Sequence, residues 1–260
     1  NIHSIPKTID YMDALSAGME RRASITNSVF KFLIIIEGQR LKLYENKIFD
    51  YFDNHTIISL QDQKLINHPK NKDIVIVPNG IDNYFVDFDS AKVKKEFDIV
   101  FVGNLSYPPN VESCGFLVNQ ILPHFKKQGK QLTVLLSGAD PSSKVEKYSQ
   151  IEGVTISGWV NDIRLSYCKG NIFVAPLFIG TGLQNKLLEA MALNVPCITT
   201  SLVNNALGAN NNEHLLIADS EEEFCEKIDH LLKDIDHANM LAMNGKKFVE
   251  KRYDWKSSTN

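Results

Sequence analysis

Short apolar runs alternate along this chain with longer tracts whose apolar residues recur at helical spacing, and turn residues separate the two. The alternation is most regular after residue 97. Runs at 98–102, 132–136, 154–157, 171–175, 197–201 and 214–218 predict strands. Between and after them, amphipathic tracts predict helices from about 109, at 143–149, 162–168 and 182–193, then at 221–232 and about 238–252. The helix from about 109 starts at a proline, which suits a first turn, and carries Val111, Phe116, Leu117, Ile121 and Leu122.

The first part of the chain is sparser. Residues 7–13 look like the end of a strand, and 25–50 predict one long helix. Its apolar side would hold Phe32, Ile35, Ile36, Leu43 and Ile48, with Glu37, Arg40, Lys42 and Glu45 toward solvent. Strands follow at 55–60 and 74–77, with Asp62 as the cap of a short helix between them. Pro78-Asn-Gly-Ile-Asp82 closes the segment as a turn, and a polar stretch at 87–96 marks a boundary. Three short strands and one helix make a thin α/β unit with exposed sheet edges. This part therefore reads as the later half of a domain whose first half precedes residue 1.

Apolar strands alternating with amphipathic helices imply an α/β fold with a parallel sheet covered on both faces. Ligands of such sheets bind beyond the carboxyl ends of the strands. That directs attention to the turns at 103–110, 137–141, 158–161, 176–183 and 201–209.

Composition narrows the class. With 28 basic and 31 acidic side chains the formal charge is -3, so no basic excess points to nucleic acid. A membrane surface stays open as a partner, because a local patch is enough. No apolar run reaches the roughly 18 residues of a spanning helix. The cysteines at 114, 168, 197 and 225 stand far apart in apolar settings and read as buried thiols of a cytosolic protein. The seven histidines are scattered, no metal-site spacing occurs, and no signal-peptide pattern opens the chain.

The richest chemistry lies in Gly180-Thr-Gly-Leu-Gln-Asn-Lys-Leu-Leu-Glu-Ala-Met-Ala192. At about 100° per residue, Leu183, Leu187, Ala190 and Met191 fall on one side of the predicted helix, and Asn185, Lys186 and Glu189 on the other. Unpaired N–H groups at Gly182, Leu183 and Gln184 would face an anion at the helix tip, and Lys186 would add charge. Glu189, a turn deeper, suits paired hydroxyls such as those of a ribose. The plain alternative is a surface helix with a Lys–Glu pair worth ~0.2–0.5 kcal/mol. Glycines flanking Thr181, with Gln and Asn in the first turn, are poor choices for helix stability alone.

Other positions at the same edge are less specific. Gly103 permits close approach, and Asn104 is placed to meet a phosphate or sugar or simply to turn the chain. Asn110 suits a helix cap or a ligand contact equally. Trp159 and Val160 offer an aromatic wall and backbone groups to a base, or ordinary packing; Asp162 reads as an N-terminal helix acid. Gly180-x-Gly182-x-x-Asn185 lacks the third glycine of a dinucleotide fingerprint, and Thr199-Thr200-Ser201 stands where the acid after the next strand belongs. No phosphate-binding Gly-Lys-Ser/Thr loop and no Gly-x-Ser-x-Gly elbow are present. Cys197 has no histidine partner in view.

Residues 180–200 closely resemble the donor-binding segment of retaining glycosyltransferases of the GT-B fold, family 4 (glycosyl transferases group 1). The form of this motif, with Tyr107-Pro-Pro-Asn110, is most similar to the bacterial exopolysaccharide subgroup. The resemblance extends to Val77-Pro-Asn-Gly-Ile-Asp82, Gly158-Trp-Val-x-Asp162 and Tyr253-Asp-Trp255, and so to nearly the whole chain. It implies a nucleotide-sugar donor domain at 84–245, the later half of an acceptor domain at 1–83, and a C-terminal helix at 246–260 crossing back to that domain. It makes Glu189 the ribose-holding glutamate and puts Lys186 in the donor-phosphate region. Two departures stand out. Thr181 occupies a position where many members carry a glutamate that meets the transferred sugar. Asn104 follows Gly103 where many carry Arg or Lys, which leaves more of the diphosphate to backbone groups and Lys186.

The resemblance implies transfer of a sugar from a UDP- or GDP-sugar to a saccharide or lipid-linked acceptor in surface or exopolysaccharide synthesis, with anomeric configuration kept. No metal and no resident cofactor are implied, and the place of action is the cytoplasm or the inner face of the membrane. Oligomeric state is left open. The segment alone is expected to be inactive in transfer. Two other readings share the site: a nucleotide-sugar epimerase of the same fold, and a non-catalytic nucleotide-sugar-binding subunit.

Overall fold

The computed structural model describes residues 5–26, 29–180 and 182–255. In chain order the first part comprises β1 (Thr8–Asp10), α1 (Leu15–Ile25), α2 (Lys31–Phe49), β2 (Asn54–Ile57), α3 (Leu60–Leu65), β3 (Val75–Ile76) and α4 (Asn83–Val86). The second part opens with β4 (Phe97–Val102), α5 (Pro108–Phe116), α6 (Leu122–Lys127), β5 (Val134–Ser137) and α7 (Ser143–Glu146). It continues through β6 (Val154–Gly158), α8 (Ile163–Lys169), β7 (Gly170–Ala175), α9 (Asn185–Ala192), β8 (Cys197–Thr199) and α10 (Ser201–Leu207). β9 (Leu216–Ile217), α11 (Glu221–Lys233) and α12 (Ile235–Arg252) complete it.

The second part forms a six-stranded sheet in the order β6-β5-β4-β7-β8-β9, and every pairing is parallel. Its central strands are mostly apolar because helices cover both faces, while the edge strand β6 alternates with exposed Thr155 and Ser157. Ile99 and Phe101 of β4 enter one core with Val134 and Leu136, while Val100 and Val102 enter the other with Leu135 and Phe173. This is the two-residue period of a strand sorted onto two faces. The order starts in the middle, so β4 has its earlier neighbour β5 on one side and the later β7 on the other. A crevice opens at such a switch point beyond the strand ends.

The first part holds a three-stranded parallel sheet in the order β1-β2-β3. Tyr11, Ala14, Ala17, Phe49, Ile57, Ile66 and Ile74 make its core. Two Rossmann-like α/β units, each a parallel sheet flanked by helices, thus compose the chain as the resemblance implies.

Several local expectations change. The helix expected at 25–50 starts later, at Lys31, and a further helix, α1, precedes it and ends where Thr26 leaves helical angles (ψ 120°). α1 was missed because its buried face is made of small residues, Ala14, Ala17 and Ala23. Small side chains let α2 come close: a Cβ at Gly38 would lie 3.3 Å from the Met19 Cβ. The faces of α2 change in part: Ile48 packs on the core and Glu37 and Arg40 are exposed as expected, but Ile35 is exposed. Gly38, Glu45 and Phe49 are its buried residues, while Phe32, Leu33, Leu43 and Tyr44 are exposed. Glu45 is inside because its carboxylate accepts from Ser16 N at 2.9 Å and Ser16 Oγ at 2.5 Å. Ala14, the cap residue of α1, has no side chain for those orphan donors, and Glu45 supplies the acceptor from a distance.

Ser59, not Asp62, caps α3, accepting from Asp62 N at 3.0 Å. The helix expected from 182 begins at Asn185, with Gln184 as its cap residue. The loop expected at 201–209 is mostly α10, capped by Thr200. Histidines scattered in sequence meet at the α11–α12 joint, where His230 Nε2 lies 2.6 Å from His237 Nδ1 beside Asp234. Among the described residues no helix is long and apolar enough to cross a membrane.

Glu45→Ala should cost about 1–3 kcal/mol of unfolding free energy, the penalty for stranding buried donors. Arg40→Ala, on the exposed side of the same helix, should change it by less than about 0.5 kcal/mol. Urea denaturation of the two variants checks this, and equal effects would contradict the capping role of Glu45.

Candidate functional site

The two sheets turn their carboxyl edges toward each other. Beyond β1 and β2, Asp13 and Ile58 reach Gly182 in the loop between β7 and α9: a Cβ there would lie 1.8 Å from Asp13 Oδ1 and 3.3 Å from Ile58 Cδ1. Arg21 of α1 donates from Nη1 to the Gly180 carbonyl at 2.5 Å. Beyond β3, Asn79 Nδ2 donates to Asn185 Oδ1 at 3.0 Å, at the start of α9. Gly180 (φ 125°) and Gly182 (φ 75°) adopt backbone angles that side chains disfavour. Thr181 lies outside the described residues.

Helix α9 is sorted as its spacing predicts. Leu183, Leu187, Ala190 and Met191 are buried, Asn185 is exposed, and Lys186 and Glu189 are partly buried facing the switch point. Lys186 Nζ donates to Asn110 Oδ1 at 2.5 Å and sits 5.3 Å from the centre of the Phe101 ring. Burial pushes its ammonium down to about 8. Glu189 Oε2 accepts from Tyr167 Oη at 2.6 Å. Burial raises the Glu189 carboxyl, against the Tyr167 hydrogen bond and the Lys186 charge. Tyr167 itself is fully buried, so the carboxylate is held by a group that cannot swing into solvent.

The loop after β4 completes the crevice. Asn110 is 3% exposed and is neither cap nor free ligand arm: its Nδ2 donates to the Asn104 carbonyl at 2.8 Å while its Oδ1 takes Lys186. Tyr107 occupies the cap position of α5, with prolines in the first turn. Gly103 is explained by this same residue, for a Cβ there would lie 2.7 Å from Asn110 Nδ2. Asn104 is exposed, and its side-chain oxygen accepts from Ser106 N at 2.9 Å, Ser106 Oγ at 2.7 Å and Tyr107 N at 3.2 Å. It shapes its own turn. Trp159 is 71% exposed beyond β6, which removes the packing alternative, and Val160 beside it is partly buried. Asp162 caps α8 and pairs with Arg164.

The structure therefore brings Gly103, Asn110, Lys186 and Glu189 together at the switch point. The backbone of 182–184, expected inside the helix tip, precedes the helix. Leu183 is core, and the first-turn amides belong to Asn185 and Lys186. Asn79, Tyr167 and Asp13 were not singled out from sequence. Asn79 had a signal in its Pro-Asn-Gly turn; the other two had none, since their roles arise from contacts 22 residues or more away in the chain. The four thiols are buried, and burial pushes Cys114 up to about 12 and Cys168 to about 11, so none is a poised nucleophile.

Two Rossmann-like units whose carboxyl edges face a shared crevice define the GT-B fold. The family model described as "Glycosyl transferases group 1" matches residues 96–234, more than half of the chain, and the chain belongs to that family. A curated relative, an uncharacterized 44.6 kDa protein in the cps region of Klebsiella pneumoniae, is 25% identical over 167 residues. That match covers 61% of this chain and 43% of the relative. Among solved structures, sucrose-phosphate synthase from Thermosynechococcus elongatus superposes with a TM-score of 0.70 at 18% identity, over 96% of this chain and 64% of that one. HepE from Anabaena, solved with UDP-glucose, gives 0.70 at 14% identity over 97% and 70%. These likenesses show the fold.

Lys186→Met tests the buried charge. The folded ammonium titrates at about 8 and the unfolded one at its ordinary 10.5, so between these values the unfolded chain binds more protons. The contribution of Lys186 to stability therefore rises with pH across that window. The melting temperature of wild type minus that of Lys186→Met should increase from pH 8 to pH 10.5, and a flat difference would refute the burial of the charge.

Proposed function

We propose that this chain carries the donor site of a retaining glycosyltransferase that uses a nucleoside diphosphate sugar in bacterial surface or exopolysaccharide synthesis. The observation that carries this reading is the pairing of Lys186 with Asn110 and of Glu189 with Tyr167 across the switch point of the second sheet. Residues 84–245 form the donor domain on this reading, 1–83 belong to the acceptor side, and 246–260 return toward it. The contact of Ile81 N with the Tyr253 carbonyl at 2.6 Å supports the last assignment.

The ribose hydroxyls donate to Glu189, which Tyr167 keeps oriented. The diphosphate lies at the start of α9, where the Asn185 and Lys186 amides, the helix dipole and the Lys186 ammonium meet its charge. Gly103 and the turn built by Asn104 leave the backbone free to approach it, and Gln184 and Leu183 lead into the same helix tip. Trp159 and Val160 flank the base. In transfer, the bond from the anomeric carbon to the diphosphate oxygen breaks and the electron pair leaves with the diphosphate. A bond to the acceptor oxygen forms on the same face, and the acceptor proton passes to the departing diphosphate. Lys186 and the oriented amides stabilise the charge that develops there. The acceptor is a saccharide or a lipid-linked saccharide entering from the first unit.

Isothermal titration with UDP, GDP and ADP tests the site; a folded chain that binds none of them refutes it. Lys186→Met should weaken nucleoside diphosphate about 10- to 100-fold while nearly sparing the nucleoside, as for a lost charge-assisted hydrogen bond. Wild-type affinity for the diphosphate should fall as pH rises through about 8, where Lys186 loses its proton, and this dependence should vanish in the variant. Glu189→Gln should weaken a ribonucleoside about tenfold or more and leave its 2′,3′-dideoxy analogue unchanged. Equal losses for both would remove Glu189 from the ribose.

A further inference from the structure

Outside the crevice, the joint between α11 and α12 gathers three side chains with metal-ligand atoms: His230, Asp234 and His237. These ligand atoms all lie within 4.8 Å of one another. His230 Nε2 lies 2.6 Å from His237 Nδ1, with the rings inclined at 60°. His230 and Asp234 are exposed and His237 is partly buried, so an ion can reach them from solvent. The backbone pins all three. Asp234 N donates to the His230 carbonyl at 2.9 Å, closing α11, and Asp234 Oδ1 accepts from His237 N at 2.9 Å, opening α12. On an unbroken helix, residues seven apart stand about 10 Å apart along the axis. Asp234 leaves helical angles (φ -103°, ψ 82°), and that break folds the chain so that the two imidazoles meet.

Two imidazoles and a carboxylate are a donor set for zinc, nickel or cobalt, and not for magnesium or calcium, which take oxygen ligands. Zinc bonds of about 2.0–2.1 Å place tetrahedral ligands about 3.3 Å apart. The two imidazole nitrogens reach that spacing by opening from 2.6 Å, and one hydrogen bond is exchanged for two metal bonds. Each neutral ring carries a single proton, which stands on its other nitrogen once His230 Nε2 and His237 Nδ1 are ligands. No proton has to leave the protein. Asp234 spends one oxygen on the helix cap and keeps a second for the ion. Lys233, its neighbour in sequence, is drawn to Asp229 (Nζ–Oδ2 2.5 Å), so its ammonium does not occupy the site.

We propose that His230, Asp234 and His237 bind a divalent transition ion of the zinc, nickel and cobalt type, which clasps α11 to α12 and keeps water in its remaining position. The role of the ion is structural. α11 packs into the core of the second unit through Phe224 and Ile228. α12 runs from the joint to the residue before Tyr253, whose carbonyl accepts from Ile81 N. Fixing the joint steadies the helix that returns toward the first unit. The site stands independently of the reading of α9.

Calorimetric titration of the untagged, metal-stripped 260-residue chain with zinc tests this. One equivalent should bind with a dissociation constant on the order of 1–10 μM. Zinc at about a hundredfold excess over that value should raise the melting temperature by roughly 5 °C, and magnesium should do neither. His230→Ala and His237→Ala should each weaken zinc at least about 100-fold, more than the loss of an outer-shell partner costs. Asp234→Asn, which keeps a capping side chain, should weaken it about tenfold. Should an alanine variant not fold, His230→Gln and His237→Gln take its place. Cobalt should give visible d–d absorption that His230→Ala loses. His124→Ala removes the imidazole 3.6 Å from Glu221 and should leave zinc affinity unchanged. No binding tighter than about 1 mM, magnesium binding as tight as zinc, affinity that survives in both histidine variants, or an equal loss in His124→Ala would overturn the site.

Discussion

The missing side chain at Gly182 fixes how the two halves of this chain meet. Asp13 and Ile58 come down on that α-carbon from the first unit, and no residue with a Cβ leaves them room. The same loop is gripped from the first unit by Arg21 at Gly180 and followed by the Asn79–Asn185 contact. A glycine pair with backbone angles that side chains disfavour thus serves as the bearing surface between two parallel sheets. The crevice between the units follows from that approach, whereas the burial of Lys186 comes from its neighbours Asn110 and Phe101 within the second unit.

On the second unit's side of the crevice, two partly buried charges each have a neutral hydrogen-bond partner. Lys186 has the Asn110 carboxamide, and Glu189 has the Tyr167 hydroxyl. Neutral partners orient a charge without cancelling it, which leaves both groups able to respond to a ligand of opposite need. Lys186 is destabilised as an ammonium by burial, and an arriving anion relieves that cost. Gly103 and Asn110 belong to one device: the glycine makes room for the carboxamide, and the carboxamide ties the β4 loop to α9.

The second unit was largely legible in the sequence because its strands are buried on both faces and its helices on one, so period and polarity agree along nearly every element. Prolines and glycines marked the boundaries of α5 and the α9 loop. The first unit was legible in outline only. Its two-helix hairpin uses Ala and Gly at the contact and leaves Phe32, Leu33 and Leu43 outside, which defeats a reading that assigns apolar residues to the interior. Glu45 is the sharpest case. Its acid looked like surface, and it is buried because Ser16, 29 residues earlier, needed an acceptor.

Sequence by itself determined the order of strands and helices after residue 97, the apolar side of α9 and the identity of Lys186 and Glu189 as its polar pair. These depend on spacing within one element, which a linear pattern records. Tertiary structure alone decided that Asn110 belongs to Lys186, Tyr167 to Glu189 and Asp13 to Gly182. Those pairings join residues 76, 22 and 169 positions apart; the first two exist only once the helices and loops of the second unit have packed on its sheet, the third only once the two sheets face each other, and no local pattern encodes either event.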